Sequence, residues 1–379
     1  MVYSGLRKTL ADLVRINSVN PAYAGGRPEG EIQEYVKEFF ISNGLDASVQ
    51  PVMPGRENVV ARLKGRNGLP PIVFEAHSDT AGIEGMDTPF HPEIRDGRMY
   101  GRGTCDTKAG LAAMMCAVAD LRKSGIVPKS EVWVVSAVDE EHSYQGVLKL
   151  RENLKAAAAV VAEPTEMRLV VASKGCVRAR IRVFGRAAHS SKPELGVNAI
   201  TQMARVLGEL ENECVRLATR RHLFVGSPTM SVGLIEGGTQ VNMVPAACTI
   251  VFDRRLIPGE DPDKVVAEYR EMLRKLQTGH SNLKIEMEEP MMKDWPLDTP
   301  VSSSIVECVS EILRVSSTES APCGVPFGSD ASKLAQVNIP SIILGPGSID
   351  HAHAADEHVE LEQVEKAFEV YRKIMIEFE

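Results

Sequence analysis

Apolar positions recur at helical spacing from Leu6 to Ile16 and stop at Asn17-Ser18-Val19-Asn20-Pro21, which reads as a loop. Glu31–Asn43 repeats the helical pattern and is closed by Gly44, a C-cap signal. Asn58–Leu63 and Pro71–Ala76 are short β-branched runs, the second ending at His77. Ala109–Ser124 is apolar almost all round and ends at Gly125, which predicts a helix buried against a sheet. Glu131–Val138 and Ala157–Ala162 read as buried strands. Strands alternating with helices predict an α/β domain with a mostly parallel sheet.

The rhythm changes near Lys174-Gly175. Cys176–Phe184 alternates as a strand with Arg178, Arg180 and Arg182 on one face, and Asn198–Glu211 is helical. Thr229–Glu236 and Cys248–Arg255 read as strands, Pro262–Leu276 as a helix, and Asn282–Glu288 alternates again. This β-α-β-β-α-β order is the ferredoxin-like split unit. After Trp295 the α/β rhythm returns, with a helix at Val301–Arg314, a strand at Ser341–Leu344 and a helix at Leu361–Ile376. The expected organisation is a catalytic domain in two parts, 1–174 and 290–379, interrupted by an inserted domain at 175–289.

Composition narrows the function classes. The 379 residues are 44% hydrophobic and 25% charged, an ordinary globular balance. The formal net charge of −8 argues against nucleic-acid binding, which needs a basic footprint. The longest apolar stretch, near Leu111–Ala119, falls well short of the roughly 20 residues that span a bilayer. The first residues lack the apolar core of a signal peptide, and the seven cysteines form no CxxC pair. A cytoplasmic protein with free thiols and no membrane partner is expected.

Acidic and histidine residues collect at the ends of the predicted strands, where open α/β sheets place their active sites. His77 and Asp79 follow the first apolar strand on one face of an extended segment. Alone, this pair is no more than a surface histidine beside a turn. Gly101-Arg102-Gly103-Thr104-Cys105-Asp106 precedes the buried helix. Asp106 takes the last position of a GxGxxG spacing, where an acid would repel a pyrophosphate, so a nucleotide-binding oxidoreductase is disfavoured. Asp106 serves equally as a helix cap or as a carboxylate between two cations. Asp139-Glu140-Glu141 follows a buried strand, where adjacent carboxylates are costly unless a metal or proton satisfies them. Glu163 follows another apolar run, and His351, His353 and His358 crowd one segment after the strand Ser341–Leu344. Two histidines and three carboxylates, with Glu140 left over, are the inventory of a two-metal hydrolytic site. Imidazole with carboxylate suits zinc, with manganese or cobalt possible in the same ligands.

The ordered set HSDT, GRGTCDTKAG, DEE, AEPT and AHAADE resembles the dizinc metallohydrolases that include acetylornithine deacetylase, succinyl-diaminopimelate desuccinylase, aminoacylase and glutamate carboxypeptidase. The resemblance covers essentially the whole chain. It implies a metal-binding α/β catalytic domain plus an inserted ferredoxin-like α+β lid and dimerisation domain. It implies two divalent ions per chain, one held by His77, Asp106 and Glu163, the other by Asp106, Glu141 and His353. His353 is preferred to His351 because Ala352-His353-Ala354-Ala355-Asp356-Glu357 matches the family's ligand setting. Asp79 would orient His77, and Glu140 would be the general base. The resemblance also implies a cis peptide after Asp106.

On the lid, His189 resembles a residue that reaches the partner subunit's active site in a homodimer, and Asn242 and Arg254 resemble holders of the substrate's α-carboxylate. Gly328 and Ser329 resemble the loop that closes that pocket. The chain departs from the usual pattern at His142-Ser143, where the family has Gly after its paired acids, and at Thr107-Lys108-Ala109, where it has Met-Lys-Gly. The expected activity is hydrolysis of the amide of an N-acyl amino acid. The alternatives are a carboxypeptidase or dipeptidase of the same family and a catalytically dead binding protein on the same fold.

Overall fold

The computed structural model describes residues 2–66, 68–316 and 319–379. The chain forms two compact units, the first comprising Met1–Val171, Asp298–Cys323 and Ser329–Glu379, the second Ala172–Leu297 with Gly324–Gly328. The expected insert, 175–289, lies inside the second.

The first unit is built on a mixed sheet whose centre is parallel. Val132–Ala137, Ile72–His77, Ala158–Val161 and Ser341–Ile343 are consecutive neighbours, each parallel to the next. Arg56–Leu63 joins one side antiparallel to Val132–Ala137 and carries Asp46–Met53 at its outer edge. The central strands are buried on every residue but one, as their unbroken Val, Ala and Ile runs require. Their register aligns their carboxyl ends: His77 lies opposite Ala137, and Glu75 lies opposite both Val135 and Val161. The residues that follow therefore emerge side by side.

The helix Lys108–Lys123 buries Leu111, Met114, Met115, Val118 and Leu121 together with its alanines, and packs on Val2–Arg15 and Leu361–Glu377. Gly110 permits its close seat: a Cβ there would come within 2.5 Å of Ala162 Cβ. A small sheet of Glu93–Arg95, Arg98–Tyr100 and His358–Glu360 completes the unit. Among the described residues, no helix is long and apolar enough to cross a membrane.

The second unit is an antiparallel sheet in the order Thr229–Gly237, Ala247–Leu256, Gly175–Phe184 and Lys284–Met287, with Met292–Asp294 also on Gly175–Phe184. Helices Ala199–Ala218 and Pro262–Thr278 cover one face, which gives the ferredoxin-like order. Val177, Ala179, Ile181 and Val183 alternate inward against Ile250, Phe252, Met203, Leu210 and Leu273. Arg178 and Arg180 point the other way, where they pair with Asp253 and Glu288.

Candidate metal centre

Five side chains from the first unit converge on the aligned strand ends. His77 is the last residue of its strand, Glu163 lies two residues beyond Val161, and Glu141 lies four beyond Ala137. Asp106 reaches the same place from the turn before the buried helix, where Thr107 Oγ1 donates to the carbonyl of Ala162 at 3.2 Å. The peptide between Asp106 and Thr107 is cis, as the family resemblance implied. His353 arrives from the segment after Ser341–Ile343.

These residues fall into two groups that share Asp106. His77, Asp106 and Glu163 form one; Asp106, Glu141 and His353 form the other; in each, one ligand atom per residue lies within 4.8 Å of the others. His77 Nε2 stands 2.9 Å from Asp106 Oδ1, while His353 Nε2 stands 3.2 Å from Asp106 Oδ2 and 3.2 Å from Glu141 Oε1. His351 joins neither group; its ring lies against His358, tilted by 36° with centroids 4.1 Å apart. His353 and Asp139 both hold a positive φ, 61° and 69°, a backbone uncommon outside glycine and frequent at functional sites.

Electrostatics mark the same spot. Burial raises the Glu163 carboxyl well above its ordinary range, with the charges of Asp106 and Glu140 adding to the effect. Its Oε1 is buried with no hydrogen-bond partner. Burial pushes Glu140 up to about 8, and its neighbours Glu141 and Asp106 push the same way. Hydrogen bonds to Asp106 and Glu141 raise His353 to about 11. Asp106 is driven the other way: burial opposes its ionisation, but the two imidazoles win and hold it well below the carboxylate range. Buried carboxylates crowded around two histidines, one oxygen left without a donor, fit a pair of cations. The donor set, imidazole with carboxylate, is one that zinc, cobalt and manganese accept.

The supports around these candidate ligands differ in part from expectation. His77 Nδ1 meets the backbone carbonyl of Asp79 at 2.9 Å, whereas the Asp79 carboxylate is 3.7 Å away. That carboxylate instead accepts the backbone N–H groups of Glu140 and Glu141, each at 3.1 Å, and the amide of Asn20 at 2.8 Å.

In the second unit, His189 is exposed, with Nδ1 2.7 Å from Ser191 Oγ, and Asn242 is exposed on the neighbouring segment, its carbonyl accepting from Ser190 N–H. Arg254 does not offer its guanidinium to a ligand. It falls in phase with Ile250, Phe252 and Leu256 on the helix-covered face, its side chain is 1% exposed, and it pairs with buried Glu260 at 2.5 Å. Arg255 projects from the opposite face, 31% exposed, with Nε 2.6 Å from Asp253. Gly328 closes against Asp294, whose Oδ2 leaves no room for a Cβ. Ser329 is fully buried in the first unit, where its carbonyl takes the Lys333 ammonium at 3.0 Å.

The sequence matches peptidase family M20/M25/M40 over residues 73–377, four-fifths of the chain. The chain belongs to this family. Acetylornithine deacetylase from Vibrio campbellii is 30% identical over 395 residues, covering 100% of this chain and 97% of that protein. The Myxococcus xanthus acetylornithine deacetylase is 28% identical over 385 residues, covering 98% and 97%. Among solved structures, a Staphylococcus aureus tripeptidase superposes with a TM-score of 0.80 at 23% identity, covering 98% of this chain and 97% of that one. An M20 family metallo-carboxypeptidase from Sulfolobus solfataricus superposes at 0.77 and 20%, covering 98% of each. At such identities the superpositions speak for the fold alone: a catalytic domain with an inserted second domain.

Two residues of this M20 chain to which the sequence assigned no role of their own tie its site together. Glu357 is buried, pairs with buried Arg102 at 2.6 Å, and accepts the N–H groups of Gly103, Cys105 and Asp106. It thus fastens the turn that carries Asp106 to the segment that carries His353. The available signal was the acid that closes the Ala-His-x-x-Asp-Glu setting four residues after His353, with a lone arginine in the glycine-rich turn to match it.

Proposed function

We propose that this chain, a hydrolase of the metal-dependent M20 amidases and peptidases, cleaves the amide bond of an N-acyl amino acid with two divalent ions, most simply zinc. The observation that carries the reading is the pair of ligand groups sharing Asp106, with Glu140 beside them in neither group. His77, Asp106 and Glu163 would hold one ion, and Asp106, Glu141 and His353 the other. When bound, such ions polarise a carbonyl and ease the loss of a proton from water. Glu140, one residue from a ligand and raised in basicity by burial, takes that proton and returns it to the leaving nitrogen. All ligand positions and Glu140 are present, which speaks against a dead binding protein. The full-length likeness to acetylornithine deacetylases supports a small N-acyl amino acid as substrate.

The second unit supplies the remaining roles. Its exposed His189 would donate a hydrogen bond to the developing oxyanion in a partner's site, and Asn242 would help hold the α-carboxylate. Arg255 rather than Arg254 would hold that carboxylate: Arg254 is buried, whereas strand phase puts Arg255, part-exposed beside Asp253, on the open face. Gly328 and Ser329 remain the proposed closing loop. A homodimer is supported by Thr229–Gly237, an edge strand with Leu234 67% and Ile235 58% exposed. The seven cysteines are free, which suits a reducing cytoplasm.

The test is a panel of N-acetyl, N-succinyl and N-formyl amino acids and dipeptides, assayed with zinc, cobalt or manganese and after chelation. Release of free amino acid from an acylated substrate, abolished by chelator, is expected. Faster cleavage of dipeptides would replace the deacylase reading by a peptidase. No cleavage of any member by protein carrying two ions would leave a binding protein.

A further inference from the structure

The loop Asn17–Pro21 has so far been only a connection, yet it is laid along the strand end that carries His77. Asn20 N–H donates to the carbonyl of Thr80 at 2.9 Å, Thr80 N–H to the carbonyl of Ser18 at 3.0 Å, and Ser18 Oγ to the carbonyl of Ser78 at 2.7 Å. The Asn20 side chain is thereby fully buried between two carboxylates. Its Nδ2 donates one hydrogen to Asp79 Oδ2 at 2.8 Å and the other to Asp139 Oδ1 at 3.0 Å. Its Oδ1 accepts Ala22 N–H at 3.0 Å, which fixes the amide's orientation.

Both carboxylates are buried, and they follow adjacent parallel strands. Buried carboxylate oxygens held close together repel one another, and each needs a hydrogen-bond donor. Asp139 has Arg56 at 2.8 Å, itself paired with buried Glu29, and the Ser143 hydroxyl. Among the described residues, Asp79 meets no lysine or arginine; apart from Asn20, its carboxylate is held by the backbone N–H groups of Glu140 and Glu141. Tyr23, two residues beyond Pro21, donates its hydroxyl to the carbonyl of Glu141 at 2.8 Å.

We infer that Asn20 and Tyr23 are positioning residues for the metal centre: Asn20 yokes Asp79 to Asp139, Asp79 fixes the backbone of Glu140 and Glu141, and Tyr23 pins that segment from outside. The inference rests on the proposed ligand role of His77 and Glu141. Among the described residues, no other side chain gives Asp79 a neutral donor, and a side-chain amide is the one group able to give a hydrogen to each carboxylate without adding charge.

The test compares wild type, Asn20→Ala, Asn20→Asp and Tyr23→Phe. Cobalt affinity is read by competition with a chromophoric chelator, with the cobalt absorption spectrum and the melting of the metal-free proteins alongside. Asn20→Ala is expected to bind cobalt about tenfold more weakly, as is usual when a partner behind the ligands is lost. Asn20→Asp is expected to be weaker still, since it keeps the shape of asparagine but brings a third carboxylate and no donor. A residue that only fills space predicts the reverse order, because aspartate fills as asparagine does. Aspartate equal to or better than alanine, or both equal to wild type, would overturn the inference. If the Asn20 variants do not fold, Tyr23→Phe decides: a loss of about threefold in cobalt affinity supports it, and unchanged affinity overturns it. Wild-type protein that takes up no cobalt would instead overturn the metal-centre reading, and this inference with it.

Discussion

Glu140 and Glu141 are chain neighbours with different surroundings: Glu141 contacts His353, and Glu140 belongs to neither ligand group. Glu140→Gln is therefore expected to keep both ions, measured by elemental analysis, while kcat falls by roughly 10²–10⁴, the usual worth of general acid–base catalysis. Near-normal kcat would remove Glu140 as the base. Lys108 behaves differently. It is buried, donates to the carbonyl of Ile16 at 2.9 Å, and burial lowers its ammonium to about 7. In the unfolded chain a lysine titrates near 10.4. Between those values the unfolded chain holds a proton that the folded chain has shed, so this group makes stability rise with pH. Its penalty is full below about pH 7 and gone by roughly pH 10. The melting temperature of Lys108→Met minus that of wild type should accordingly shrink across that window. A difference constant with pH would mean that the lysine stays charged in the fold.

At the scale of elements, strand parity separates two adjacent arginines. Arg254→Met removes the buried one of two arginines on Glu260, the half-exposed Arg220 staying at 2.7 Å, so the loss should approach but not exceed the roughly 3–5 kcal/mol of a fully broken buried pair. Its melting temperature should fall clearly. Arg255→Met leaves the core untouched, so it should melt like wild type and raise KM for the carboxylate-bearing substrate. The opposite pattern would return the role to Arg254. The parity was legible in the sequence, since Cys248, Ile250, Phe252 and Leu256 set a phase that Arg254 shares. The charge of the Asp253-Arg254-Arg255 run obscured it. The central strands and the helix Lys108–Lys123 were legible because burial on all sides demands unbroken apolar runs. The strand-end ligand candidates were legible for the same reason, as polar residues interrupting those runs. Glu93–Arg95, Arg98–Tyr100 and His358–Glu360 were not, because three residues are too few to show alternation. Nor were Asn20, Arg56 and Glu29, whose partners lie tens of residues away and leave no local pattern.

Over the whole molecule, the two units divide the proposed chemistry. Every metal-ligand candidate and Glu140 belong to the first, and His189, Asn242 and Arg255 to the second. An oxyanion donor on the second unit can serve its own chain or a partner's, and the exposed edge strand Thr229–Gly237 offers a way for two copies to pair. One preorganised donor of this kind is worth on the order of 10²–10³ in kcat. The structural alternative is that His189 serves only its own loop, where its Nδ1 already meets Ser191. Subunit mixing separates the two. A Glu140→Gln chain and a His189→Ala chain should each be nearly inactive alone. In a mixed dimer with shared sites, one site carries both defects, and the other combines an intact Glu140 with an intact His189 from its partner. Activity should reappear on mixing and approach half that of wild type per mixed dimer. Exchange confirmed by native mass spectrometry with activity no greater than the sum of the two parents would confine His189 to its own chain.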